Sequence, residues 1–297
     1  MQGYFLSIGE LLADIITVDY VENLRKAKTF QLFQGGSPAN VAANIKFLGR
    51  NVQLVSCVGN DGIGQFLIQT LKTIGITETH IQVSNDHPTT IILVSKSKGT
   101  PDFIAYRGAD SQINAIENSL IEKAGIVHTT SFALSKEPAK QMIIDAMQFA
   151  KNKNKTVSID WSYAPSIWGT DNGASVFETI MRMRPLLKLS VDDLERFVGK
   201  TLSIDECKSF LDKYFTTATC LTCGKDGVFY KEFNAVWQYK NASAVKAVID
   251  TTGAGDAFWA GFSVAYMDNL PVSNCIANGL KIAARKIEKS GPLYLLE

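Results

Sequence analysis

The chain has no long apolar run, no excess of charge of either sign, and few cysteines, histidines or prolines. No uninterrupted apolar segment approaches the roughly 18 residues needed to cross a bilayer, so no membrane span is expected. With 30 Lys and Arg against 29 Asp and Glu, the formal net charge is +1, which leaves no nucleic-acid footprint. The basic run Lys151-Asn152-Lys153-Asn154-Lys155 reads as a solvated helix end and turn. Met1 to Ile8 lacks the basic start of a secretory leader, and Glu10 and Asp14 interrupt the apolar stretch behind it. Five scattered cysteines make the cytoplasm the simplest expectation. Cys220-Leu221-Thr222-Cys223 has metal or redox spacing, but no second pair or nearby histidine completes a site. In a strand, residues three apart face opposite ways, so these are expected to be packed thiols. His80, His87 and His128 are not clustered, and no direct metal ligand is expected.

What is present is an alternation. Of 297 residues, 46% are hydrophobic and 20% charged, as in an ordinary soluble globule large enough for a full core. Short apolar runs, often β-branched, occur at 4–8, 53–58, 126–130, 156–159, 186–189 and 218–222. Helical spacing occupies 38–48, 63–74, 138–151, 192–198 and 204–214, and two further helices, 256–267 and 272–289, close the chain. This order predicts an α/β fold, a mainly parallel central sheet with helices on both faces. With neither repeat nor linker, residues 1–297 are expected to form one domain. Residues 15–33 and 89–106 break the alternation and read as extended, partly polar segments. They predict a small accessory sheet, a lid drawn from about 11–34 and 87–108, over the carboxyl ends of the parallel strands.

Two glycine clusters carry chemistry. In Asp250-Thr251-Thr252-Gly253-Ala254-Gly255-Asp256-Ala257-Phe258, a glycine turn runs into a helix start. The first amides of such a helix lack partners inside it and, with the helix dipole, suit a phosphate. Asp256 stands among them. A carboxylate beside an anion site makes sense if it accepts a proton; the alternative is an Asp capping its own helix. In Gln34-Gly35-Gly36-Ser37-Pro38-Ala39-Asn40, Ser37 can cap the next helix and Pro38 fits its first turn. Asn40 both donates and accepts, which suits hydroxyls; the alternative is an incidental Asn on a capped helix. Other glycine motifs fail. Gly199-Lys200-Thr201 ends like a P-loop, but Leu194 stands where its first glycine belongs, and Leu67 replaces the third glycine of a dinucleotide fingerprint begun by Gly62 and Gly64.

Together the clusters resemble the paired signatures of the PfkB (ribokinase-like) carbohydrate kinase family, with matching element order along essentially the whole chain. Within it the chain is most similar to fructokinases. Gly9-Glu10-Leu11-Leu12-Ala13-Asp14 resembles their opening strand and turn, and Tyr106-Arg107-Gly108-Ala109-Asp110 their Tyr-Arg-x-x-Ala-Asp segment. Val58-Gly59-Asn60-Asp61-Gly62-Ile63-Gly64 and Asp160-Trp161-Ser162-Tyr163-Ala164-Pro165-Ser166-Ile167-Trp168 add to the match.

The resemblance implies a three-layer αβα sandwich and an ATP-dependent sugar kinase using Mg²⁺, with fructose as the leading substrate. It implies that Asp256 is the base, with Gly253, Ala254 and Gly255 forming the anion hole. It places Asp14, Gly35, Gly36 and Asn40 on the sugar, with Arg107, from the lid, facing the sugar or the phosphate. It places Ser190, Asp193, Thr222, Gly224 and Gly227 beside the nucleotide phosphates, and Asn278 near adenine. A potassium site near Asp250 and Thr252, and a homodimer through the lid, are further implications.

Departures stand beside the matches. Ser190 and Asp193 replace the Asn and Glu of the family's Asn-x-x-Glu motif. Ser162 and Ala164 replace an Asn and an Arg, which removes a planar bidentate donor that Lys or Ser cannot replace. These motivate two alternatives: a 2-keto-3-deoxygluconate, ribose or nucleoside kinase, or a catalytically weak sugar-binding regulator on the same scaffold.

Overall fold

The computed structural model describes residues 3–96, 102–289, 291, 292 and 294. In chain order its strands are β1 (Tyr4–Ile8), β2 (Leu12–Thr17), β3 (Phe30–Gly35), β4 (Val52–Gly59), β5 (Ile81–Ser84), β6 (Ile91–Val94), β7 (Phe103–Tyr106), β8 (Ala124–Thr130), β9 (Thr156–Asp160), β10 (Leu186–Ser190), β11 (Ala218–Thr222), β12 (Val228–Glu232) and β13 (Gln238–Lys240). The helices are α1 (Ser37–Phe47), α2 (Gly62–Ile74), α3 (Asn118–Lys123), α4 (Ala139–Asn152), α5 (Pro165–Trp168), α6 (Ala174–Met181), α7 (Val191–Val198), α8 (Ile204–Leu211), α9 (Ala254–Met267) and α10 (Val272–Ile287).

Among the described residues, nine strands form one sheet in the order β13-β12-β11-β10-β9-β8-β1-β4-β5. Its pairs are parallel from β5 to β11; only β12 and β13 run antiparallel, at one edge. Every residue of β8 is buried, as expected of an inner strand covered on both faces. One face carries a core built from Val127, Ile143, Met147, Trp161, Phe177 and Leu194, the other a core from Ile45, Leu67, Trp259, Phe262 and Ile276. The sheet is thus the middle of three layers.

Local chemistry sets the helix limits. Asp61 caps α2 by accepting the Gly64 amide at 2.8 Å, Leu67 and Leu71 bury its core face, and Gly75 ends it in the left-handed region. The helix expected over 204–214 stops at Leu211. Its last turn tightens to i→i+3 bonds, Lys213 to Phe210 and Tyr214 to Leu211, while the Tyr214 ring still packs edge-on to Phe177. The outer strands β5, β12 and β13 were not legible: they are short, β5 and β12 are only partly buried and β13 is exposed, so they lack the apolar run that marks the inner strands.

The two irregular segments do form a separate four-stranded sheet, β3-β2-β6-β7. Its register aligns Phe33, Asp14, Ile92 and Ala105 in one row and Leu32, Ile15, Leu93 and Ile104 in the next. Because side chains alternate, these rows lie on opposite faces.

Candidate active site

The site forms where α9 begins. Gly253 precedes the helix at φ +72, in the left-handed region a glycine adopts without strain. The Ala254 amide is used by the turn, donating to the Thr251 carbonyl at 3.1 Å. The helix supplies no partner for the amides of Gly255 and Asp256, so these two are available to an anion.

Asp256 does not cap its own helix. Its Oδ1 accepts the Ser37 hydroxyl at 2.7 Å and its Oδ2 accepts the Asn40 amide at 3.0 Å. The starts of α1 and α9 therefore meet at one carboxylate, and the two glycine clusters of the sequence become one site. Ser37, read as a helix cap, instead lies inside α1 and spends its hydroxyl on Asp256; Gly36 takes the cap position, without a side-chain bond. Burial pushes the Asp256 carboxyl up, while Ser37, Asn40 and the Lys188 ammonium pull it down without cancelling the rise.

Asp14 projects from β2, and burial followed by the charge of Asp256 pushes its carboxyl up to about 7. Two acids thus sense one another across the pocket. Gly35 packs against Asp14 so closely that a Cβ would strike its carboxylate, and Gly36, at φ +95, lies equally close to the Glu10 carbonyl. Glu10 is buried and accepts the Thr130 hydroxyl at 2.8 Å, and burial pushes its carboxyl up to about 8.

Arg107 was expected to face the sugar or the phosphate. It lines a cavity of about 850 Å³ with Asp61, Thr89 and Ile91, and its guanidinium pairs with Asp110 at 2.5 Å, donates to Ser135 Oγ at 2.6 Å and lies 4.0 Å from the Phe132 ring centre. The side chain is 5% exposed, and its charge is balanced before any ligand arrives.

A cleft of about 560 Å³ opens on the other side of the α9 start. Ala254, Gly255, Ser190, Asp193, Thr222, Gly224 and Gly227 all line it, which brings two of the three residues expected in the anion hole beside the expected phosphate residues. Asn278 is not among its lining residues: its amide donates to the Gly261 carbonyl at 2.6 Å and ties α10 to α9. Ser190 and Asp193 cap α7 reciprocally, and Asp193 also pairs with Arg196 at 2.6 Å. Ala164 sits at the start of α5, and the Ser162 carbonyl accepts the Ser131 hydroxyl.

Lys188 lines the same cleft and was missed by sequence reasoning. It is buried, with Nζ 2.6 Å from Asp160 Oδ2, and a Cβ on Gly255 would lie 3.2 Å from its ammonium. Burial alone would lower its pKa, but Asp160, Asp193 and Asp256 outweigh it and raise it, so the lysine stays charged. A lone Lys in the apolar run Leu186-Leu187-Lys188-Leu189 was the available signal.

A buried carboxylate beside free helix-start amides, with a second acid on a separate sheet and a glycine-lined cleft opposite, suits transfer of a phosphoryl group to a hydroxyl. The comparisons agree. The model for the pfkB family carbohydrate kinases matches residues 2–297, and the chain belongs to that family of phosphotransferases with an alcohol acceptor. The chain is 34% identical over 296 residues to the ATP-dependent 6-phosphofructokinase of Thermoanaerobacterium thermosaccharolyticum, covering 97% of this chain and 89% of that one. It is 28% identical over 300 residues to the 2-dehydro-3-deoxygluconokinase of Bacillus subtilis, covering 97% and 90%. The solved structure of Halothermothrix orenii fructokinase superposes with a TM-score of 0.83 at 32% identity, over 94% of this chain and 98% of that one.

Proposed function

We propose that the chain transfers the γ-phosphoryl group of ATP to a primary hydroxyl of fructose. The observation that carries this is Asp256, buried, oriented by Ser37 and Asn40, close enough to raise Asp14, and next in sequence to Gly255 of the glycine-lined cleft. Asp256 accepts the sugar hydroxyl proton as the oxygen attacks phosphorus. A positioned base contributes about 10²–10⁴-fold. The Gly255 and Asp256 amides stabilise charge on the phosphoryl oxygens, each donor being worth about 3–4 kcal/mol. In a loose transition state, positioning and charge stabilisation are most of the catalysis.

Among the described residues no acid cluster could hold a metal by itself, so a magnesium ion would be carried by the nucleotide. Asp193 lines the cleft and would hold the water shell of that ion, which when bound supplies neutralising charge at the phosphate oxygens.

Fructose is favoured over acidic sugars by Arg107. With its guanidinium committed to Asp110, Arg107 holds no spare charge for an anionic group, and the site suits a neutral polyol. A second reading, an anionic sugar, is favoured by the relatives that act on phosphorylated or acidic hexoses, and it requires Arg107 to leave Asp110. The test is an ADP-release assay comparing kcat/KM for fructose, fructose 6-phosphate, 2-keto-3-deoxygluconate, ribose and a nucleoside. Fructose is expected to lead. A lead for fructose 6-phosphate or 2-keto-3-deoxygluconate would establish the second reading, and negligible rates on all would reject the substrate class.

The smaller sheet serves as a lid on the single domain, its Asp14 face toward the sugar. Its other face leaves Leu32 and Ile104 exposed in one apolar row, which supports pairing with a second copy of the chain. Leu32→Glu is expected to shift sedimentation from dimer to monomer; a wild-type monomer would contradict the pairing.

A further inference from the structure

The family resemblance puts a potassium ion near Asp250 and Thr252, and in the structure a side-chain cation is already there. Lys286, in the last turn of α10, has a side chain only 3% exposed. Its ammonium donates to the Asp250 main-chain carbonyl at 3.0 Å and to Asp250 Oδ2 at 3.1 Å. Asp250 Oδ1 accepts the Thr252 amide at 2.9 Å, and the Gly291 amide reaches Oδ2 at 3.3 Å. Burial works against the Asp250 charge, but the Thr252 amide and Lys286 outweigh it and hold the carboxyl below its ordinary range. The amides of Ile249 and Asp250 both donate to the Ile287 carbonyl, stitching this stretch to the end of α10.

The residues therefore do not fit a potassium ion. Both Asp250 oxygens turned toward α10 are taken by an ammonium, and a second cation beside it would meet like-charge repulsion in a partly buried site.

We infer that Lys286 is a positioning residue that acts as a resident cation: by clamping the Asp250 turn just ahead of Gly253 it fixes the α9 amides and makes turnover independent of potassium. The lysine brings its charge on the chain, so nothing must be recruited from solution. Thr252 links the clamp to the site, because its amide is held by the carboxylate that Lys286 holds.

This inference rests on the sugar-kinase reading for its main assay, so two readouts are paired. Turnover on the best sugar is measured in potassium, sodium, caesium and tetramethylammonium chlorides at equal ionic strength. Wild-type rates are expected to agree within about twofold, and activation by potassium of about fivefold or more would overturn the inference. Thermal unfolding in the same salts needs no turnover. Equal midpoints are expected, and a rise specific to potassium would overturn the inference even if no sugar were phosphorylated. Failure of every sugar with equal midpoints would instead count against the function alone. Lys286→Met is expected to lose about tenfold or more in kcat with little change in sugar KM, and to recover part of it with ammonium or methylammonium. Unchanged kcat in a folded Lys286→Met protein would contradict the clamp. Should that variant fail to fold, the two wild-type salt series decide the question.

Discussion

Lys188 and Asp160 stand side by side on adjacent parallel strands, and their charged ends meet 2.6 Å apart beneath the start of α9. The Lys188 ammonium on β10 pulls the Asp256 carboxyl down, and the charge of Asp256 in turn raises Asp160 on β9, Asp14 on β2 and Tyr294 near the end of the chain. Lys188 is the cation among them, and removing it or its partner moves Asp256 in opposite directions. Without the ammonium, the Asp256 carboxyl rises further, so the acid limb of the kcat/KM profile moves to higher pH in Lys188→Met. Without the neighbouring carboxylate, Asp256 ionises more easily, so in Asp160→Asn the limb moves to lower pH. Shifts of the same sign, or none, would show that the pair does not set the charge of Asp256.

The hydroxyl of Ser37 and the amide of Asn40 act on the same carboxylate. A hydrogen bond to a charged group favours its ionised form, so losing one is expected to raise the Asp256 carboxyl. Ser37→Ala and Asn40→Leu should each lose turnover most strongly at low pH and recover as pH rises. A pH-independent loss in both would point to substrate contact rather than to orientation of the base.

Glu10 gives a stability test separate from catalysis. Burial pushes its folded-state carboxyl up to about 8, well above an unfolded glutamate. Between the two values the folded state holds a proton that the unfolded chain has released, so stability falls as pH rises from the acid side to about 8 and then levels. Glu10→Gln, neutral at every pH, should show a higher Tm than wild type at pH 8 and a gap that closes toward pH 5. A gap that does not depend on pH would mean that Glu10 is not buried as an acid.

The parts of the site legible in the sequence were those marked by backbone demands. Gly36 and Gly253 adopt conformations that favour glycine, and the acids and amides next to them form the site. Other parts depended on which side chains meet across long sequence gaps. Lys188 lies in an apolar run, and only the register of β10 on β9 brings it beside Asp160. Arg107 read as a free cation because the turn at Ala109–Ser111 that carries Asp110 back to it has no strong sequence mark. Asn278 looked available until the packing of α10 on α9 used its amide on Gly261. The Lys286 clamp was hidden for the same reason: Lys286 is one basic residue among several in a helix end, and its ammonium reaches Asp250 only once the chain has folded.

The account depends most on Asp256 as the proton acceptor. Its direct test is turnover of Asp256→Asn on the best sugar, with sugar affinity and Tm measured on the same preparation. Asn keeps the shape and a hydrogen-bonding oxygen but loses the basic carboxylate. The expected result is a folded protein that binds sugar near wild-type affinity and loses about 10²-fold or more in kcat. Near-normal turnover by a pure preparation would contradict the assignment of the base and, with it, the mechanism built on the start of α9.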